Sequence, residues 1–143
     1  MCSSDLLTFN EIKRHQSKLA RTRVASVKSP WMKYCGEGEV YTIPISHGEG
    51  RFIASEEEIR ALAENGQILT QYVDPEGRVS NAIQDNPNGS FYAVEGITSP
   101  DGRVLGKMGH SERIGDQVYG SLYKNVPGNQ DMRLFQAAVE FFK

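Results

Sequence analysis

Strand-like runs outnumber helical ones in this chain, and that imbalance constrains the fold more than any other feature of the sequence. Residues 21–27 alternate through Arg23, Val24, Ala25, Ser26 and Val27, the period-two pattern of a half-buried strand. Ser29-Pro30 closes this run, because a residue before proline is pushed out of the helical region. Residues 39–45 form a second run, where Val40, Thr42 and Ile43 favour extended backbone. Residues 67–73 form a third, followed by the turn formers Asp74-Pro75-Glu76-Gly77 and a return over 79–83. Residues 93–98 and 103–108 flank Ser99-Pro100-Asp101-Gly102, the layout of a β-hairpin. Only two stretches carry a helical period. The first opens on Ser55, with Glu58 three residues later to complete a capping box. Ile59, Leu62 and Ala63 supply its apolar stripe, and Asn65-Gly66 ends it. The second covers 131–142, with Leu134, Ala138 and Phe141 on one face. This mixture predicts an α/β layered fold with a mixed sheet, the hairpins making it partly antiparallel. A complete α/β sheet carries more crossover helices, so the pattern is that of part of a domain.

Composition narrows the function classes. The chain has 143 residues and a net charge of -2, which argues against nucleic acid as the main partner. No apolar run reaches the roughly 20 residues of a membrane helix, and no secretory signal opens the chain. Cys2 and Cys35 lack zinc-ligand spacing and read as reduced thiols of a cytoplasmic protein. Residues 10–33 are basic through Lys13, Arg14, Lys18, Arg21, Arg23, Lys28 and Lys33, against Glu11 alone. Such a stretch is a solvated face or an interface with another domain. Residues 1–6 match what the end of a common sequencing adapter encodes. They read as a non-native scar, leaving 7–143 as the domain part.

His47 and His110 each stand two residues before a glutamate, Glu49 and Glu112. In an extended segment such residues point to one side. A carboxylate beside an imidazole fixes its tautomer and stabilises the protonated ring. On spacing alone the pairs fit structural hydrogen bonding, catalysis, or a zinc site made of His47, Glu49, His110 and Glu112. His15 has no nearby acid and reads as surface. The loop Asn86-Pro87-Asn88-Gly89-Ser90 is rich in turn formers. Asn88 and Ser90 either satisfy backbone groups there or, with His47, line a site or an interdomain surface.

The segment 102–113, Gly-Arg-Val-Leu-Gly-Lys-Met-Gly-His-Ser-Glu-Arg, resembles the end of class I glutamine amidotransferase domains, which have a flavodoxin-like fold. Three further segments, 44–52, 71–74 and 86–90, are similar to the glutaminase domain of phosphoribosylformylglycinamidine synthase. Arg14-His15-Gln16-Ser17-Lys18 and Ser29-Pro30-Trp31 resemble its single-chain form. The likeness covers roughly 7–143. It implies a purine-biosynthesis enzyme, an ATP-dependent ligase, that hydrolyses glutamine and passes ammonia to a synthetase domain using ATP and magnesium. It implies His110 as general base and Glu112 as its orienting acid. The family places a cysteine nucleophile on a sharp strand-to-helix turn. Neither Cys2 nor Cys35 has that setting, so the nucleophile is expected outside this chain, and the chain alone is expected to be inactive. Gly109 and Ser111 replace the prolines that usually flank the histidine. Two other functions remain open on the sequence: a non-catalytic interaction domain, and the His/Glu metal module.

Overall fold

The computed structural model describes residues 7–114 and 130–143; Cys2 and the rest of segment 1–6 lie outside the described residues. The elements are β1 (Leu7–Thr8), β2 (Gln16–Val24), β3 (Val40–His47), β4 (Arg51–Phe52), α1 (Glu56–Glu64), β5 (Ile68–Tyr72), β6 (Val94–Thr98), β7 (Leu105–Lys107) and α2 (Leu134–Phe142). Five strands form one sheet in the order β3-β2-β5-β6-β7, and β1 pairs with β4. The α/β class is as expected. The mixed sheet is not what the described residues form: every strand pairing among them is antiparallel. The short link from β6 to β7 permits no other arrangement, since parallel neighbours need a long crossover.

β2 begins earlier than its alternation indicates, at Gln16, and ends at Val24. Pairing with β3 runs from Gln16↔His47 to Arg23↔Val40, so the partner strand holds the polar 16–18 stretch extended. After Val24 the ladder breaks, because the amides of Ala25 and Ser26 both donate to the Leu69 carbonyl, at 2.7 and 3.4 Å. The expected return over 79–83 is reduced to a single bridge, Val73↔Val79. Val79 and Ile83 are both exposed, so there is little apolar burial to hold a strand there.

α1 is capped as the sequence indicates. Ser55 Oγ accepts from the Glu58 amide at 3.2 Å, and Glu58 Oε2 accepts from the Ser55 amide at 2.8 Å. Gly66 takes a φ of 67°, the left-handed geometry that ends the helix. The buried stripe is narrower than expected: Ile59 is buried and Leu62 half-buried, but Ala63 is exposed. Ile59 and Leu62 pack with Phe52, Ile68, Val94 and Ile97, which leaves Ala63 on the far edge of the helix. Replacing Ser55 by alanine should lower stability by about 1 kcal/mol, because the Glu58 amide loses its hydroxyl acceptor. A shift of the urea midpoint at unchanged slope would show it.

α2 starts at Leu134, since Arg133 sits at φ 51° with its amide held by Asp131 Oδ1 at 2.8 Å. Its buried face is Leu134, Ala137 and Ala138, whereas Phe141 is 48 % exposed. Leu134 is the helix's entry into the main core, beside Val24, Met32, Tyr41, Ile43, Leu69 and Met132, and the final turn runs past that cluster.

Candidate functional site

The sheet curls until its two edges meet, and the site forms at that seam. β3 and β7 are the edge strands. Pro44 is tolerated within β3 because an edge strand has a side without ladder partners. Its carbonyl accepts the amide of His110 at 2.8 Å, joining the segment after β7 to β3. This contact sets His110 beside His47, the last residue of β3. The two rings stack with centroids 4.9 Å apart and planes 7° from parallel.

His110 Nδ1 lies 2.6 Å from Glu112 Oε1. With a carboxylate accepting there, the neutral ring carries its proton on Nδ1 and leaves the lone pair on Nε2. That Nε2 is buried and has no hydrogen-bond partner among the described residues. The pair closes in a turn, not in the extended segment its spacing suggested: the Arg113 amide donates to the His110 carbonyl at 3.0 Å. Burial, the largest influence on the Glu112 carboxyl, pushes it up, but a backbone amide and His110 outweigh it and hold it below the ordinary glutamate value. The cleft around the pair measures about 260 Å³ and is lined by Trp31, His47, Lys107, His110, Glu112 and Phe135 among others.

The 47/49 pair does not form in the same way. Glu49 is exposed beyond the end of β3, and His47 Nδ1 accepts instead from the Ser46 amide at 3.3 Å. Burial chiefly, and then the neighbouring His110, lower the pKa of His47 below 6.5. The folded state thus binds this proton less readily than the unfolded chain. Stability should fall as pH drops from 6.5 through the His47 titration. His47→Asn should flatten that slope in urea titrations between pH 7 and pH 5, measured as about the expected direction for one proton.

The stacked rings turn faces, not nitrogens, toward each other. Among the described residues, no group of three or more His, Cys, Asp or Glu is placed to hold a metal ion. His15 is exposed, with Nε2 3.0 Å from Ser46 Oγ.

Asn88 and Ser90 are buried, and their visible partners are structural. Ser90 Oγ accepts from the Phe52 amide at 3.1 Å and meets the Gly50 carbonyl at 3.3 Å, tying the loop to β4. Asn88 donates to Tyr72 Oη at 3.1 Å. Cys35 is buried, its thiol directed at the Met132 carbonyl at 3.4 Å, and burial above all pushes its pKa up. A protonated, enclosed thiol is a poor nucleophile.

Sequence reasoning missed Glu95, Lys107 and Asn10. Glu95 is 3 % exposed and paired with Lys107 Nζ at 3.0 Å. Asn10 Nδ2 donates to the His47 carbonyl at 2.6 Å, and Asn10 Oδ1 accepts from the Gly50 amide at 3.0 Å, bracing the loop after β3. One signal was available: Glu95 and Lys107 are opposite charges in the two arms of one hairpin whose neighbours are apolar.

Residues 3–142 match the CobB/CobQ-like glutamine amidotransferase domain family. A phosphoribosylformylglycinamidine synthase subunit PurQ from Symbiobacterium thermophilum is 42 % identical over 108 residues, which cover 76 % of this chain and 45 % of that protein. The PurQ of Methanosarcina barkeri is 33 % identical over 135 residues, covering 94 % of this chain and 54 % of that one. The chain therefore spans about half the length of these relatives. In fold it is similar to a chain in a structure of PurLQS from Thermotoga maritima, with a TM-score of 0.68 at 23 % identity, covering 96 % of this chain and 52 % of that one. By the family match over nearly its whole length and by these relatives, the chain belongs to the CobB/CobQ-like glutamine amidotransferase domain family and is similar within it to the amidotransferase part of phosphoribosylformylglycinamidine synthase.

Proposed function

We propose that this chain is the C-terminal part of the glutaminase domain of phosphoribosylformylglycinamidine synthase, a cytoplasmic enzyme of purine biosynthesis, and that it supplies the histidine and glutamate of a Cys-His-Glu triad. One observation carries the reading: the His110 ring is bound at Nδ1 by Glu112, while Nε2 has no hydrogen-bond partner among the described residues. The free lone pair on Nε2 is the one that would take the proton of a thiol packed against it. The cysteine lies outside this chain.

His110 Nε2 takes the thiol proton as sulfur attacks the side-chain amide carbon of glutamine. The protonated ring then gives that proton to the departing nitrogen, releasing ammonia and leaving a glutamyl thioester. His110 next takes a proton from water as the water oxygen attacks the thioester, and returns it to the departing sulfur as glutamate forms. Glu112 holds the ring's orientation and stabilises its cationic form throughout. Ammonia passes to the synthetase part of the enzyme, where ATP and magnesium are used. Within this scheme His47 is a stacking surface for the base, and the 86–90 loop with Asn88 and Ser90 braces the site wall.

The purified chain alone should release no ammonia from glutamine. Mixed with the N-terminal half of a relative's PurQ, which brings a nucleophile, it should. Ammonia release by this chain alone would contradict the reading.

A further inference from the structure

We propose that Glu95, Lys107 and Gly109 form a buried clamp that fixes the backbone carrying His110, making Glu95 and Lys107 positioning residues for that base. This rests on the role proposed for His110 above.

The Glu95 side chain is wholly enclosed, and the Lys107 side chain is 10 % exposed. Glu95 takes three donors: Lys107 Nζ at 3.0 Å, the Gly109 amide at 2.5 Å and the Thr70 hydroxyl. A carboxylate buried this deeply is tolerated only when such donors surround it. Nothing in the proposed reaction uses it, yet it binds the residue directly before the base. Gly109 donates to Glu95 on one side of the seam, and His110 donates to Pro44 on the other. Two consecutive amides fixed from opposite sides leave the His110 backbone little freedom. The side-chain torsions are then set by Glu112 and by the stack on His47.

The position admits no other residue without rearrangement. A Cβ at 109 would stand 1.9 Å from Ile43 Cδ1 and 2.9 Å from Glu95 Oε1. Proline would also remove the amide proton that Glu95 accepts. The glycine before the base is thus a close-approach residue, and the rigidity that a ring would give comes here from a buried charge.

Buried ion pairs are often only structural, so the test reads the ring and not stability alone. In this chain the Gly109 amide should exchange with solvent about 1,000-fold more slowly than an unprotected peptide. In Glu95→Gln/Lys107→Met, which leaves no lone buried charge, the Nδ1 proton of His110 should broaden and its single tautomer give way to a mixture. The exposed His15 should stay as it is. In the mixture with a relative's N-terminal half, the same variant should lose about 100-fold in kcat with KM nearly constant. A Gly109 amide exchanging at the unprotected rate overturns the clamp, and this measurement needs no variant to fold. A folded double variant with the wild-type His110 tautomer and kcat overturns the positioning role. An inactive wild-type mixture alongside a protected Gly109 would count against the glutaminase reading and leave the clamp standing.

Discussion

His110→Ala should lower glutamine hydrolysis by about 1,000-fold or more when this chain is assayed with a nucleophile-bearing N-terminal half, with KM changed little. The expectation follows from what the ring is asked to do. It must take a proton from sulfur, return it to nitrogen, and take another from water, and no neighbour among the described residues is placed to substitute. His47 stacks on the ring through its face, and burial holds its pKa down. Glu112→Gln should cost less, about 10- to 100-fold. An amide still accepts from Nδ1 but no longer stabilises the cation, and the Glu112 side chain is 53 % exposed, so solvent weakens its hold. Steady-state kinetics of the two variants side by side would show the ordering. Equal activity of His110→Ala and the parent mixture would remove His110 from the mechanism.

Glu95→Ala should be the most destabilising single change, by about 3–5 kcal/mol, because it leaves the Lys107 ammonium buried without its partner. Glu95→Gln/Lys107→Met should recover much of that loss, since both charges go together. The pH dependence follows from the folded-state pKa of Glu95. Burial, the largest influence, raises it, but Lys107, Thr70 and the Gly109 amide together hold it below the ordinary glutamate value. A carboxyl lowered on folding adds stability above its unfolded pKa and loses it as pH falls through the folded value. The wild-type chain should therefore lose stability below pH 4.5 more steeply than the double variant. Urea midpoints at several acidic pH values measure this, and parallel curves would show that the pair adds nothing.

The sequence carried some of these features plainly. Ser55 and Glu58 announce the start of α1, and Gly66 its end, because capping is local chemistry that a few neighbouring residues decide. The hairpin around Ser99-Pro100-Asp101-Gly102 and the His110–Glu112 contact are equally local. Other features depend on partners far along the chain. Gln16, Ser17 and Lys18 carry no strong strand preference and are extended because β3 pairs with them. The antiparallel character of the whole sheet depends on which strands become neighbours, which local patterns leave open. The His47–His110 stack exists only because the curled sheet brings its two edges together, so no spacing within either segment points to it. Glu95 and Lys107 stand as opposite charges in the two arms of one hairpin, but the enclosure of Glu95 by Lys107, Thr70 and Gly109 shows only in the fold. Asn88 and Ser90 showed the reverse: residue types that suit a binding loop are occupied here in tying that loop to β4 and β5.

The most direct measurement is a long-range proton–nitrogen NMR spectrum of the His110 imidazole in this chain, at a pH where the ring is neutral. The expected result is a single tautomer, with the proton on Nδ1 shared with Glu112 and a bare Nε2. A ring protonated on Nε2, with no contact to Glu112, would contradict the presentation of that nitrogen to an incoming thiol.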